Sequence, residues 1–299
     1  MSLHTGLDQI REPEMPHFAI GGIIGRSLWI TVWNFFPFIL MTIVLALPLV
    51  AYGAALAYLR PELRAEFQNA LAYRQLTPPQ DMTGIAIDAV FLLLLLFALL
   101  GPVAAIVQRA FQSMLGRKAG FENCITLAVA ASLRVVVLGI LLIGAHAIVA
   151  AVIGWIAARI AAPSFAFVPT FIVILLALAA TLFLSAVWWV AFPVLMVEWT
   201  GPFAALRRSW SLTRGRRWQI VAILVLLAIP YAILQALLAR YLPNVMSAAG
   251  NDILRYGLVA LSGLLGAFFY FAGAVAAAVG YFHLAGEKEG ILALDRVFP

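Results

Sequence analysis

Charge is scarce in this chain. Asp, Glu, Lys and Arg make up 11% of its 299 residues while apolar residues reach 65%; soluble domains carry about 25% charged and about 45–50% apolar residues. That balance excludes an ordinary soluble globule and implies a protein that crosses a membrane several times. Cysteine occurs once, at Cys124, so a disulfide within one chain and a CxxC metal site are both excluded. Catalytic signatures are missing as well. There is no Walker loop, no HExxH and no GxSxG turn, and Ser262-Gly263 follows Ala260-Leu261 rather than a Gly-x pair. No catalytic residue, metal site or cofactor is expected from these motifs, and the chain reads as non-enzymatic. The net charge of +6 reads as arginine held near anionic headgroups on one membrane side rather than as a nucleic-acid surface.

What the chain does contain is long apolar runs. Crossing about 30 Å of hydrocarbon takes roughly 20 apolar residues. Runs of that length fall at residues 35–59, 84–107, 135–158, 169–197, 218–238 and 253–282. The fold class is therefore all-α, with six transmembrane helices. The opening residues include Asp8, Arg11, Glu12 and Glu14 and have no apolar core of signal length, so the first run is expected to remain as a span. Thirteen of the nineteen basic residues lie on one side of this topology and six on the other. By the positive-inside rule both termini are expected in the cytoplasm.

Shorter amphipathic stretches precede the odd-numbered spans. Ile20, Ile23, Ile24 and Leu28 recur on one helical face. Leu63, Phe67 and Leu71 form a similar pattern after the first span, and 121–133 is weakly amphipathic. The most patterned polar stretch is Glu198 to Pro230, with five of the nineteen basic residues. Within it Phe203, Leu206 and Trp210 make an apolar stripe beside a polar stripe of Arg207, Ser211 and Arg214, and Gly215 marks a break before the fifth span. Such helices suit the membrane–water interface.

An internal repeat emerges at an offset of 182 positions. Arg26, Ser27, Thr31, Leu45, Ala46 and Pro48 meet Arg208, Ser209, Thr213, Leu227, Ala228 and Pro230 without a gap. The segment from Phe121 through the third span has the same outline but lacks the arginine signature and the proline. The chain thus reads as one membrane domain, 1–299, divided into a tail (1–17), three repeats (18–107, 108–197, 198–282) and a second tail (283–299). Each repeat would be a surface helix followed by a two-span hairpin, and all would share one orientation, unlike inverted-repeat transporters.

Three stretches carry a family resemblance: Ile20–Ser27 (I-G-G-I-I-G-R-S), Val197–Trp218 (V-E-W-T-G-P-F-A-A-L-R-R-S-W-S-L-T-R-G-R-R-W) and Tyr281–Gly290 (Y-F-H-L-A-G-E-K-E-G) followed by Val297-Phe298. They resemble a group of bacterial six-span proteins, YciC-like, known as the membrane domain beside some glycerophosphoryl diester phosphodiesterases. The resemblance implies a bacterial inner-membrane protein. It does not bring the phosphodiesterase activity, because that belongs to a separate barrel for which this chain has no room, and the His-Arg and Glu-x-Asp pairs are missing. Tyr281-Phe282-His283 also departs from the arginine-bearing version usual in such relatives.

Candidate site residues fall in two groups. Arg207, Arg208, Arg214 and Glu198 lie at the surface-helix junction. They read either as salt bridges tying span to surface helix or as a pocket for anionic lipid headgroups, since arginine offers paired donors to phosphate. His146 and Asp88 are intramembrane polar candidates. His146, near the middle of span three, reads as a neutral imidazole satisfied by a neighbouring helix or as a functional group. Asp88, near the far end of span two, reads as an interfacial carboxylate or as an ion or substrate entrance. Pro48, Pro102, Pro193 and Pro230 fall within spans and would kink them. Ala276 and Gly280 form a small-xxx-small face, and Trp188 and Trp189 read as packing residues. The expected function is lipid binding, or engagement of a membrane-protein partner, in the cell envelope. The alternative is a small transporter with its path between hairpins.

Overall fold

The computed structural model describes residues 18–59, 82–117, 120–160, 167–248 and 252–289. Ten helices and no strand occur among them. They are α1 (Ile20–Trp33), α2 (Phe35–Leu59), α3 (Met82–Met114), α4 (Phe121–Ala130), α5 (Ser132–Ile160), α6 (Phe167–Val187), α7 (Ala191–Val197), α8 (Pro202–Thr213), α9 (Arg217–Ala248) and α10 (Asp252–Glu289). Six of the resulting segments are long and apolar enough to cross a membrane. The architecture is that of a multi-pass membrane protein. The stretch containing Leu63, Phe67 and Leu71 lies outside the described residues.

Each short helix ends in a break that aims the following span. Asn34 closes α1: its side-chain amide donates to the Ile30 carbonyl (3.0 Å), and its Oδ1 accepts from Arg109 Nε on α3 (2.9 Å). Gly215 follows α8 with φ +93°, a left-handed conformation that costs glycine little because it has no Cβ. Ala131 separates α4 from α5. In all three places a carbonyl at the break accepts the amide four residues on: Phe38 to Asn34, Val135 to Ala131, and Ile220 to Arg216, which follows Gly215.

The same register governs burial. The buried residues of α1 are Ile23, Ser27, Ile30 and Thr31, and those of α8 are Ala205, Ser209, Leu212 and Thr213. Each pair is 182 positions apart, and the offset carries on to Phe38 with Ile220 and Met41 with Ile223, all fully buried. An offset of 97 from the first set reaches Cys124, Ala128, Val135 and Leu138, also buried. Two residues past each break stands a large apolar side chain in the open: Phe36 (75% exposed), Leu133 (74%) and Trp218 (80%). Thr31 and Thr213 both donate to the carbonyl four residues back, at Ser27 and Ser209.

Helices α2 and α3, α5 and α6, and α9 and α10 pair as hairpins. The ends α3, α7 and α10 also touch one another, and the core gathers there with Ile106, Phe111, Val194, Leu195, Tyr281 and Leu284. Helix α4 packs on α3 and α8 on α7, each on the hairpin before it, while α1 packs on α10 of the last hairpin. The chain therefore closes on itself as a ring. No span's most apolar stretch is more than 33% buried within the protein, which leaves the rest of its surface to the bilayer, where lipid rather than water is the solvent.

The fourth span corrects the reading of a single helix over 169–197. It breaks at residues 188–190, between α6 and α7. Breaking a helix in a membrane strands carbonyl groups, which must find donors. Val187 O accepts the hydroxyl of Ser209 (2.9 Å) and shares that of Thr213 (3.2 Å) with Ser209 O, both from α8. Pro193, in the first turn of α7, lacks an amide that would have no partner there.

Candidate functional site

The junction of α7 and α8 is built by E-W-T-G-P. Glu198 closes α7, Trp199 takes φ +50° to turn the chain, and Pro202 begins α8 after Gly201. Proline suits this first position because its missing amide would be unpaired there in any case. Glu198 Oε1 accepts from Arg208 Nε (3.0 Å) and from the Tyr281 hydroxyl (3.0 Å). Arg208 Nη2 also pairs with Glu289. Burial alone would lower the Arg208 pKa, but hydrogen bonds to Glu289 and Glu198 outweigh it and raise the value. Arg208 is thus held as a permanent cation between two carboxylates.

The last turn of α10 completes this clasp. Arg216 pairs with Glu287 and also donates to Gln219 Oε1 (3.2 Å). Lys288 Nζ donates to the carbonyls of Ser211 (2.5 Å) and Arg214 (3.2 Å). A cation there meets the negative end of the α8 dipole.

The remaining arginines are disposed differently. Phe203 (71% exposed), Arg207 and Trp210 (48%) follow one another along the outer face of α8, with Arg214 just past its end, and all four are exposed. Arg217 lies over the Trp210 ring, 4.3 Å from its centroid, and 5.5 Å from that of Phe183. Its Nε and Nη2 are buried and have no hydrogen-bond partner among the described residues. Arg134 donates to the Trp199 carbonyl (3.3 Å) and lies over the Trp199 ring.

Of the four junction residues read from sequence, the structure joins Glu198 to Arg208 and leaves Arg207 and Arg214 exposed. The apolar stripe splits: Phe203 and Trp210 are exposed, whereas Leu206 packs against the core. The face turned to the protein is the small and hydroxyl set Ala205, Ser209, Leu212 and Thr213. Tyr281, Glu287, Lys288 and Glu289 lie in a stretch that carries the family resemblance but were not read as site residues. For Glu287, Lys288 and Glu289 the physical signal is the E-K-E run of 287–289, complementary in charge to the arginines of 207–217.

His146 is half-buried on α5. Its Nδ1 lies 2.8 Å from the Leu142 carbonyl and its Nε2 lies 3.1 Å from Ser185 Oγ on α6. A carbonyl only accepts, so Nδ1 carries a proton and donates to Leu142, while Nε2 and the Ser185 hydroxyl share the second hydrogen bond. Asp88 is exposed, has no partner among the described residues, and is not brought to His146. No group of three metal-ligating side chains occurs among the described residues. Compared with family models, curated proteins and solved structures, the chain matches none.

Proposed function

We propose that this chain is a non-enzymatic inner-membrane protein that binds anionic lipid headgroups on the outer face of α8, with that face and both termini on the cytoplasmic side. The observation that carries the reading is the sorting of the basic residues. Arg208, Arg216 and Lys288 are engaged by carboxylates and carbonyls. Arg207 remains exposed between Phe203 and Trp210 and Arg214 just beyond them, with Arg217 stacked on Trp210. Guanidinium groups offer paired donors to phosphate, and tryptophan favours the headgroup layer. Three surface-helix-and-hairpin repeats account for the shared register of breaks and burial.

The transport alternative needs a polar path. The cavity beside His146 is lined by Leu100, Leu142, Ile143 and Phe192, an apolar wall that does not favour such a path. A membrane-protein partner on α8 would use the same aromatic and basic face without preferring one lipid over another.

Thermal unfolding in mild detergent with added phospholipid tests the proposal. Phosphatidylglycerol is expected to stabilise the protein more than phosphatidylcholine does. Saturation at a hundred times the dissociation constant is worth about 2.7 kcal/mol. The double variant Arg207→Glu/Arg214→Glu is expected to unfold normally without lipid and to lose most of the phosphatidylglycerol increment. Equal stabilisation of variant and wild type would overturn the reading.

A further inference from the structure

A cavity of about 560 Å³ opens between α3, α5 and α7, bounded by Leu100, Gly139, Ile143, His146, Ala147 and Phe192. Its volume falls within the roughly 300–1,000 Å³ of small-molecule sites. It runs along α5 from Gly139 to Ala150, roughly 16 Å at about 1.5 Å per residue, so it is long rather than round. All of this lies within spans.

Water is a poor occupant. A stable internal water needs about two to four polar partners. The one polar side chain in the lining is His146, and both its ring nitrogens are already taken by Leu142 and Ser185. The other solvent at this depth is hydrocarbon. The cavity lies where the middle hairpin meets α3 of the first. In the register set by the breaks, Gly139 corresponds to Thr42 and Leu224, and His146 to Leu49 and Tyr231. The Tyr231 ring is packed against Phe269 (5.6 Å). In the middle hairpin Gly139 admits the Leu100 side chain, which fills the place a Cβ would take, the small side chains of Ala147 and Ala150 leave the space beside it open, and the break in span four places Phe192 at its edge.

We propose that this cavity is a binding site for one acyl chain of a membrane lipid, held beside the His146–Ser185 pair. The site lies apart from α8, and its occupation does not depend on headgroup charge.

The test uses the full chain in nanodiscs of zwitterionic phosphatidylethanolamine carrying a photoactivatable diazirine in mid-chain, with cross-links mapped by mass spectrometry. A zwitterionic lipid keeps the result independent of the arginine face. Cross-links are expected to concentrate at 139–150 and Phe192 relative to the open face of α6 at Leu175, Leu176 and Leu178. Ala147→Phe places a ring in the cavity and is expected to lower that yield about tenfold, the equivalent of about 1.4 kcal/mol, leaving α6 unchanged. Ala150→Leu, at another exposed position of the lining, serves if the larger variant fails to fold. Cross-links spread evenly over α5 and α6, or a yield untouched by the filling variant that folds, would overturn the site.

Discussion

Gly280→Leu is expected to leave little monodisperse protein after detergent extraction. Gly280 is buried in α10, and a Cβ added there would overlap two ring carbons of Trp189. Carbon atoms rest at about 3.5–4.0 Å, so the ring or the helix would have to move. The ring belongs to Trp189, which is half-buried. It sits in the break of the fourth span, and that break is tied to α8 through Val187, Ser209 and Thr213. Overpacking typically costs about 1–3 kcal/mol, and leucine adds three further carbons to the clash. Size-exclusion profiles and unfolding midpoints measure the loss. The double variant Gly280→Leu/Trp189→Ala should recover part of it by vacating the space. A single variant as stable as wild type would mean that α10 does not approach the break this closely.

Glu198→Ala carries the second large effect. One carboxylate oxygen receives both Arg208 and Tyr281, from α8 and α10. Removing it leaves the Tyr281 hydroxyl without its acceptor and Arg208 with Glu289 alone. Hydrogen bonds to charged groups contribute about 1.5–3 kcal/mol each. Solvent reduces that here, because the Arg208 and Glu198 side chains are 29% and 17% exposed. A net loss of about 2 kcal/mol is expected on that scale. Arg207→Ala, on the exposed side of the same helix, should stay within about 0.5 kcal/mol of wild type. Chemical unfolding of the two variants side by side separates the roles. Equal stability would show that the Glu198 clasp does not bind α8 to α10.

Much of this architecture was legible in the residue pattern because apolar runs of span length leave few alternatives. The second helix falls at Phe35–Leu59, where composition puts it. The offset of 182 pairs Ser27 and Thr31 with Ser209 and Thr213, and these hydroxyls are the residues buried in both short helices. The break in the fourth span was not legible. Trp188 and Trp189 lie inside an apolar run, and the donors that stabilise the freed carbonyl arrive from 22 and 26 residues away. The sorting of arginines escaped for the same reason. Arg208 and Arg216 look alike to Arg207 and Arg214 until Glu289 and Glu287 are brought back from the far end of the chain. His146 likewise finds Ser185 only through the packing of α5 on α6. Local pattern encodes which face of a helix is apolar; it does not encode which distant carboxylate neutralises which cation.

Native mass spectrometry of the gently extracted protein, with identification of retained lipids, tests the headgroup reading most directly. Wild type is expected to carry phosphatidylglycerol or cardiolipin into the gas phase, and Arg207→Glu/Arg214→Glu to arrive without it while keeping its mass and folded charge-state distribution. A wild-type protein that arrives bare, or a variant that retains the same anionic lipid, would contradict a headgroup site on the outer face of α8.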